Sequence, residues 1–99
     1  MDHSKLNVQT STNDLKKSCE KYFNEPHLIN KFIIINKLKK QGHPSTHILQ
    51  RLIIFSIIHH DIYLENWFLQ CVKKLLEDPN TIFSCPEGYE DIFDDDSIS

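Results

Sequence analysis

The spacing of apolar residues divides the chain into four helical stretches. Leu15, Cys19, Tyr22 and Phe23 fall at i, i+4, i+7 and i+8, which predicts a helix over 13–24 with Lys16, Lys17, Glu20 and Lys21 on its other side. Ser11, Thr12 or Asn13 can cap its start. Pro26 suits the first turn of a second helix over 26–41, where a missing N–H costs nothing. Leu28, Phe32, Ile35 and Leu38 make one face of it, and Ile29 and Ile33 widen that face. Lys37, Lys39 and Lys40 fall in the last turn, where cations suit the helix dipole, and Gly42 follows as the residue that ends the helix.

Ser45 or Thr46 can cap a third helix over 46–59. Ile48, Leu49, Leu52, Ile53, Ile54, Phe55, Ile57 and Ile58 surround most of it, which predicts a central, buried helix. A strand over 52–58 is the rival, and it lacks a partner strand. Asp61 is a good N-cap for a fourth helix reaching Glu77, although His59 and His60 could instead be a bend within one longer helix. Leu64, Trp67, Phe68, Cys71, Val72, Leu75 and Leu76 repeat with the cleanest helical period in the chain. Pro79 then stops it.

The expected fold is therefore all-α: a small four-helix bundle or helical-hairpin array. Residues 1–11 are polar and aperiodic and read as a flexible lead. Residues 12–79 form the helical domain. Residues 80–99 read as an acidic tail, mostly disordered, with Ile82 and Phe83 able to fold back.

Composition sharpens this picture. A length of 99 residues allows one domain. The longest apolar run, 52–58, is far short of the roughly 20 residues that span a bilayer, so no membrane is expected as a partner. The N-terminal residues lack the apolar stretch of a secretory signal. Cys19, Cys71 and Cys85 are odd in number and widely spaced, as in a reduced intracellular protein, cytoplasmic or nuclear. Thirteen Ile, ten Lys, one Arg and no Ala suggest an AT-rich coding region. Ile is a poorer helix former than Ala, so burial must hold these helices.

Charge is split along the chain. The net value is −3, but residues 1–76 hold all 11 basic residues and 6 acidic ones, net +5. Residues 77–99 hold 8 acidic residues and no basic one, net −8. The tail can thus cover its own basic face.

Few patterns carry catalytic or metal chemistry. His43, His47, His59, His60, Cys71 and Cys85 lack the tight ligand pairs of a structural zinc site. The Met1-Asp2-His3 amine–imidazole spacing suits Cu(II) or Ni(II), yet a single His in a polar end is an ordinary occurrence. There is no Gly-rich phosphate loop, HExxH or GxSxG, so no enzyme, cofactor or metal site is expected.

Two binding readings remain. In the first, the protein is a helical adaptor or regulatory subunit that contacts another protein, or a second copy of itself. Phe32, Trp67 and Phe68 would lie at the interface, with Tyr89, Ile92 and Phe93 as apolar anchors in the acidic tail. In the second, the stretch 33–52 is a helix-turn-helix that contacts nucleic acid. Ser45, Thr46, His47, Gln50 and Arg51 would face bases, and Lys37, Lys39, Lys40, Lys73 and Lys74 would contact phosphates. The single Arg and the acidic tail favour the first reading. Ser84 and Ser97 have acidic surroundings that suit phosphorylation.

Overall fold

The structure, a computed structural model, describes the backbone of residues 3–93 and the side chains of residues 13–93. The Met1-Asp2-His3 spacing, the 94–96 aspartate run and Ser97 fall outside those side chains. The protein is all-α, with four helices: α1 (His3–Asn24), α2 (Leu28–Lys40), α3 (Thr46–His59) and α4 (Ile62–Glu77). Each packs chiefly on two others, in the ring α1–α2–α3–α4–α1. Among the described residues, no helix is long and apolar enough to cross a membrane.

The core lies inside this ring. Leu15, Cys19 and Tyr22 of α1 meet Ile34, Ile35 and Leu38 of α2, Leu49 and Ile53 of α3, and Phe68, Cys71, Val72 and Leu75 of α4. The Tyr22 and Phe68 rings meet edge to face at 5.4 Å. The stripes predicted for α1 and α4 are the ones that face inward. On α2 the buried face is rotated to Asn30, Lys31, Ile34, Ile35 and Leu38, while Leu28 and Ile29 are exposed. The Lys31 ammonium lies 6.0 Å from the centre of the Phe68 ring, so its charge meets an aromatic face while its stem covers the core.

The helix ends show how the chain turns. Gly42, at φ +69°, lets its N–H reach Lys39 O and the His43 N–H reach Leu38 O, which ends α2 in a Schellman motif. α2 begins two residues later than predicted, because Asn30 Nδ2 donates to Glu25 O at 2.6 Å and keeps Pro26 in the loop. α1 begins at His3, ten residues early, so Ser11, Thr12 and Asn13 lie inside it and do not cap it. Residues 3–12 contain neither Pro nor Gly, and a helix nucleated in the packed part extends through them at one hydrogen bond per residue.

α3 ends at His60, the one non-glycine residue with positive φ among those described (φ 51°, ψ 48°). A side chain is strained there. Replacing His60 with Gly is expected to stabilise the fold by about 0.5–1 kcal/mol, the relieved strain less the added freedom of the unfolded chain. A thermal melt followed by circular dichroism measures it.

Two expectations are corrected. α3 is not central: Ile54, Ile57 and Ile58 face outward, because a ring of four short helices leaves each with a solvent side. The tail is also not free from residue 80. Phe83 folds back into the core as expected, though Ile82 stays exposed, and beyond that reading residues 84–93 also pack on the body through Tyr89, Ile92 and Phe93.

Candidate functional site

The returning segment, hereafter the strap (81–93), builds the most elaborate surface of the molecule. Its first anchor is Phe83, whose N–H donates to Ser45 Oγ at 2.7 Å. Ser45 occupies the N-cap position of α3, is fully buried and makes no side-chain cap bond, so its hydroxyl serves the strap. The neighbouring turn is closed locally: the Ser45 N–H donates to His43 Nδ1 and Thr46 Oγ1 donates to His43 O.

The strap then turns at 86–89. The Tyr89 hydroxyl donates to Asp61 Oδ2 at 2.6 Å. Its ring stacks on Tyr63, 5.9 Å away and 8° from parallel, and meets Phe55 edge-on at 6.0 Å. The segment ends over α3, where Arg51 Nη2 donates to Ile92 O at 2.9 Å and its guanidinium lies 6.0 Å from the Phe93 ring centre. The His47 ring is 6.0 Å from Phe93.

Asp61 is the hub. Its Oδ1 accepts the Leu64 N–H and caps α4, its Oδ2 takes the Tyr89 proton donor, and its carbonyl accepts from Ser56 Oγ. The hydrogen bond from Tyr89, followed by those from the backbone, holds the Asp61 carboxyl below its ordinary value. Donation to Asp61 pushes the Tyr89 hydroxyl up to about 12.

The sign of each shift sets a pH window. The lowered Asp61 value contributes stability above the usual carboxylate range, about pH 4, and loses it as acid titrates the folded carboxylate. The raised Tyr89 value contributes below about pH 10 and loses it as pH climbs toward 12. The Tyr89 ring-proton shifts, set by stacking on Tyr63, are expected to stay flat between those limits and move toward unfolded values at both ends. Tyr89→Phe is expected to lack the alkaline change, which proton NMR measures.

The residues proposed for nucleic-acid contact are scattered or engaged. Ser45 is buried, Thr46 bonds within its turn, and His47 and Arg51 lie against the strap. Lys37 pairs with Asp14 at 3.6 Å, and Lys39 and Lys40 are exposed at the end of α2. Lys73 and Lys74 are exposed on α4, and Gln50 is half-buried on α3. Among the described residues, no strap carboxylate forms an ion pair with these lysines. The strap is held by rings and hydrogen bonds, not by the lysine charge that the sequence suggested.

The residues proposed for partner contact also separate. Phe68 is 2% exposed, so its ring belongs to the core and cannot meet a partner. Phe32 and Trp67 are half-buried against that core. Tyr89, Ile92 and Phe93 are docked on α3 and the start of α4. Trp67 lines a cleft of about 190 Å³ with Cys71, Lys74, Ile82 and Phe83.

The sequence reading missed the exposed apolar corner between α3 and α4. Ile54, Ile57, Ile58, Ile62 and Tyr63 are all exposed there, Ile58 by 66% and Ile62 by 70%. Beside it a cleft of about 360 Å³ is lined by Arg51, Ile54, Phe55, Ile58, His59 and Ile92. A second, of about 420 Å³, shares Phe55 and Ile92 and adds Asp61, Tyr89 and Asp91. The signal available in the sequence was the all-round apolar α3 in a chain too short to wrap it.

The thiols are shielded. Burial pushes Cys19 and Cys71 up to about 12, and all three cysteines are free. Among the described residues, no group of three or more His, Cys, Asp or Glu is placed to hold a metal ion. No protein-family model, curated protein or solved structure matches the chain.

Proposed function

We propose that the protein is a non-enzymatic interaction module that binds another protein at the α3–α4 corner. The exposed apolar residues on either side of the α3–α4 turn, Ile54, Ile57 and Ile58 before it and Ile62 and Tyr63 after it, carry this reading. Single exposed apolar residues are ordinary, but five within ten positions of one turn, beside two clefts, support a binding surface. One cleft beside it carries acid, with Asp61 and Asp91 in its lining, while Arg51 and His59 line the other. The matching partner is a segment with apolar side chains flanked by Lys or Arg. The free cysteines suit a reducing compartment, cytoplasmic or nuclear.

The test uses the double variant Ile58→Asp, Ile62→Asp in the full chain. Both side chains are largely exposed, so folding is expected to change by no more than about 0.5 kcal/mol per site. Affinity purification with cross-linking is expected to recover a basic–apolar segment with the native chain and to lose it with the variant. A folded variant that keeps every partner refutes the reading. So does a partner cross-linked only at Lys37, Lys39 or Lys40. A doubled mass in size exclusion would identify a second copy as the occupant, and salt-sensitive DNA binding would favour nucleic acid instead.

A further inference from the structure

The Tyr89–Asp61 contact joins two features that neither residue has alone. Tyr89 lies in a non-helical turn, flanked by the exposed residues Glu87, Gly88, Glu90 and Asp91. Its hydroxyl is the donor in the 2.6 Å bond to the carboxylate that also caps α4. The last stretch of the strap is therefore fastened through one phenolic proton, the rings of Phe55 and Tyr63 on Tyr89, the His47 ring and Arg51 guanidinium beside Phe93, and the Arg51 bond to Ile92 O.

We propose that Tyr89 is a phosphorylation site, and that its modification lifts residues 87–93 off α3 while Phe83 stays anchored. A tyrosine kinase supplies the phosphoryl group from ATP. The Tyr89 oxygen bonds to the γ-phosphorus, the bond from that phosphorus to the β,γ-bridging oxygen breaks, ADP leaves with the electron pair, and the phenolic proton passes to a base of the kinase.

The product cannot keep the native contact. The ester oxygen has no proton to donate, and the phosphate brings roughly −1.5 to −2 charges beside the Asp61 carboxylate. Glu87, Glu90 and Asp91 add like charge from the strap itself. In the closed form the Arg51 guanidinium is engaged with Ile92 O and the Phe93 ring and not with the Tyr89 hydroxyl. Phe83 is in the core and bonded to Ser45, so the opening stops at the buried Pro86. Release uncovers Phe55 and Arg51 on one face of α3, next to the already exposed His47.

The other tyrosines contrast with Tyr89. Tyr22 is 4% exposed in the core, and Tyr63 is fixed in the first turn of α4. A kinase that reads an acid-flanked tyrosine outside the four helices finds one at Tyr89, in a turn that only the strap contacts hold. The inference does not depend on the corner binding a partner.

The experiment treats the full chain with Mg-ATP and a tyrosine kinase first shown to phosphorylate a free peptide spanning 84–93. Mass spectrometry locates the phosphoryl group, and hydrogen exchange compares residues 87–93 with the Phe83 amide. The expected result is phosphorylation at Tyr89, exchange at 87–93 faster by about tenfold or more, and little change at Phe83. Modification of the peptide but not of the full chain, or of Tyr63 in place of Tyr89, overturns the proposal. A full chain carrying semisynthetic phosphotyrosine at position 89 reads the release separately. Unchanged exchange at 87–93 in that protein overturns it as well.

Discussion

Replacing Phe68 with Ala is expected to cost the protein a large share of its stability. The side chain is almost fully buried, meets Tyr22 edge to face and lies under the Lys31 ammonium. Removing a buried Phe costs about 3–5 kcal/mol, counting lost burial and the cavity left behind. A domain of this length has only about 5–15 kcal/mol of stability in total, so the loss takes a large share of it. The loss would also leave Lys31 beside a void. Far-UV circular dichroism and a urea titration measure the change. Phe68→Leu is expected to remain folded, since it keeps most of the volume. Trp67→Ala is also expected to remain folded, because that ring is only half-buried. The two neighbours thus separate a core role from a surface role.

Replacing Ser45 with Ala is the second large effect. The Ser45 hydroxyl is the acceptor for the buried Phe83 N–H, 38 positions away. Without it that N–H stays buried and unpaired, which costs about 1–3 kcal/mol, or else Phe83 withdraws. The expected result is a lower urea midpoint, with exchange at residues 81–86 faster than before. Thr81→Ala serves as the control, because the Thr81 hydroxyl bonds only locally to Asp78 O at an exposed position. That change is expected to stay within about 0.5 kcal/mol. If both substitutions behave alike, the Ser45–Phe83 bond does not fasten the strap.

These two residues show how unevenly the sequence speaks. Phe68 was legible as a member of a helical stripe, and its stripe does face the core. That it lies in the core and not at an interface was not legible, because periodicity marks the apolar side of a helix without saying what covers it. Ser45 was legible as a cap position, but its hydroxyl could satisfy either the helix end or another chain segment. Which of these won depended on where Phe83 arrived. Asp61 was correctly read as the cap of α4, while Tyr89, read as an anchor for a partner, docks on its own chain. Nothing local connects residues 28 positions apart, so their bond was beyond a reading of pattern and spacing.

The sequence by itself determined the local order: four helices, the glycine-ended turn at Gly42, the Asp61 cap and the inward stripes of α1 and α4. These follow from side-chain spacing and from backbone groups that must be satisfied within a few residues. Only the tertiary structure decided which part of the surplus apolar surface stayed uncovered. α3 looked central because it is apolar all round, but four short helices in a ring cannot surround one of their own. The strap covers one side of α3 through Tyr89, Ile92 and Phe93, and Ile54, Ile57 and Ile58 keep the other side open. That division is a matter of packing between distant segments, since burial is non-directional and carries no signature in local spacing.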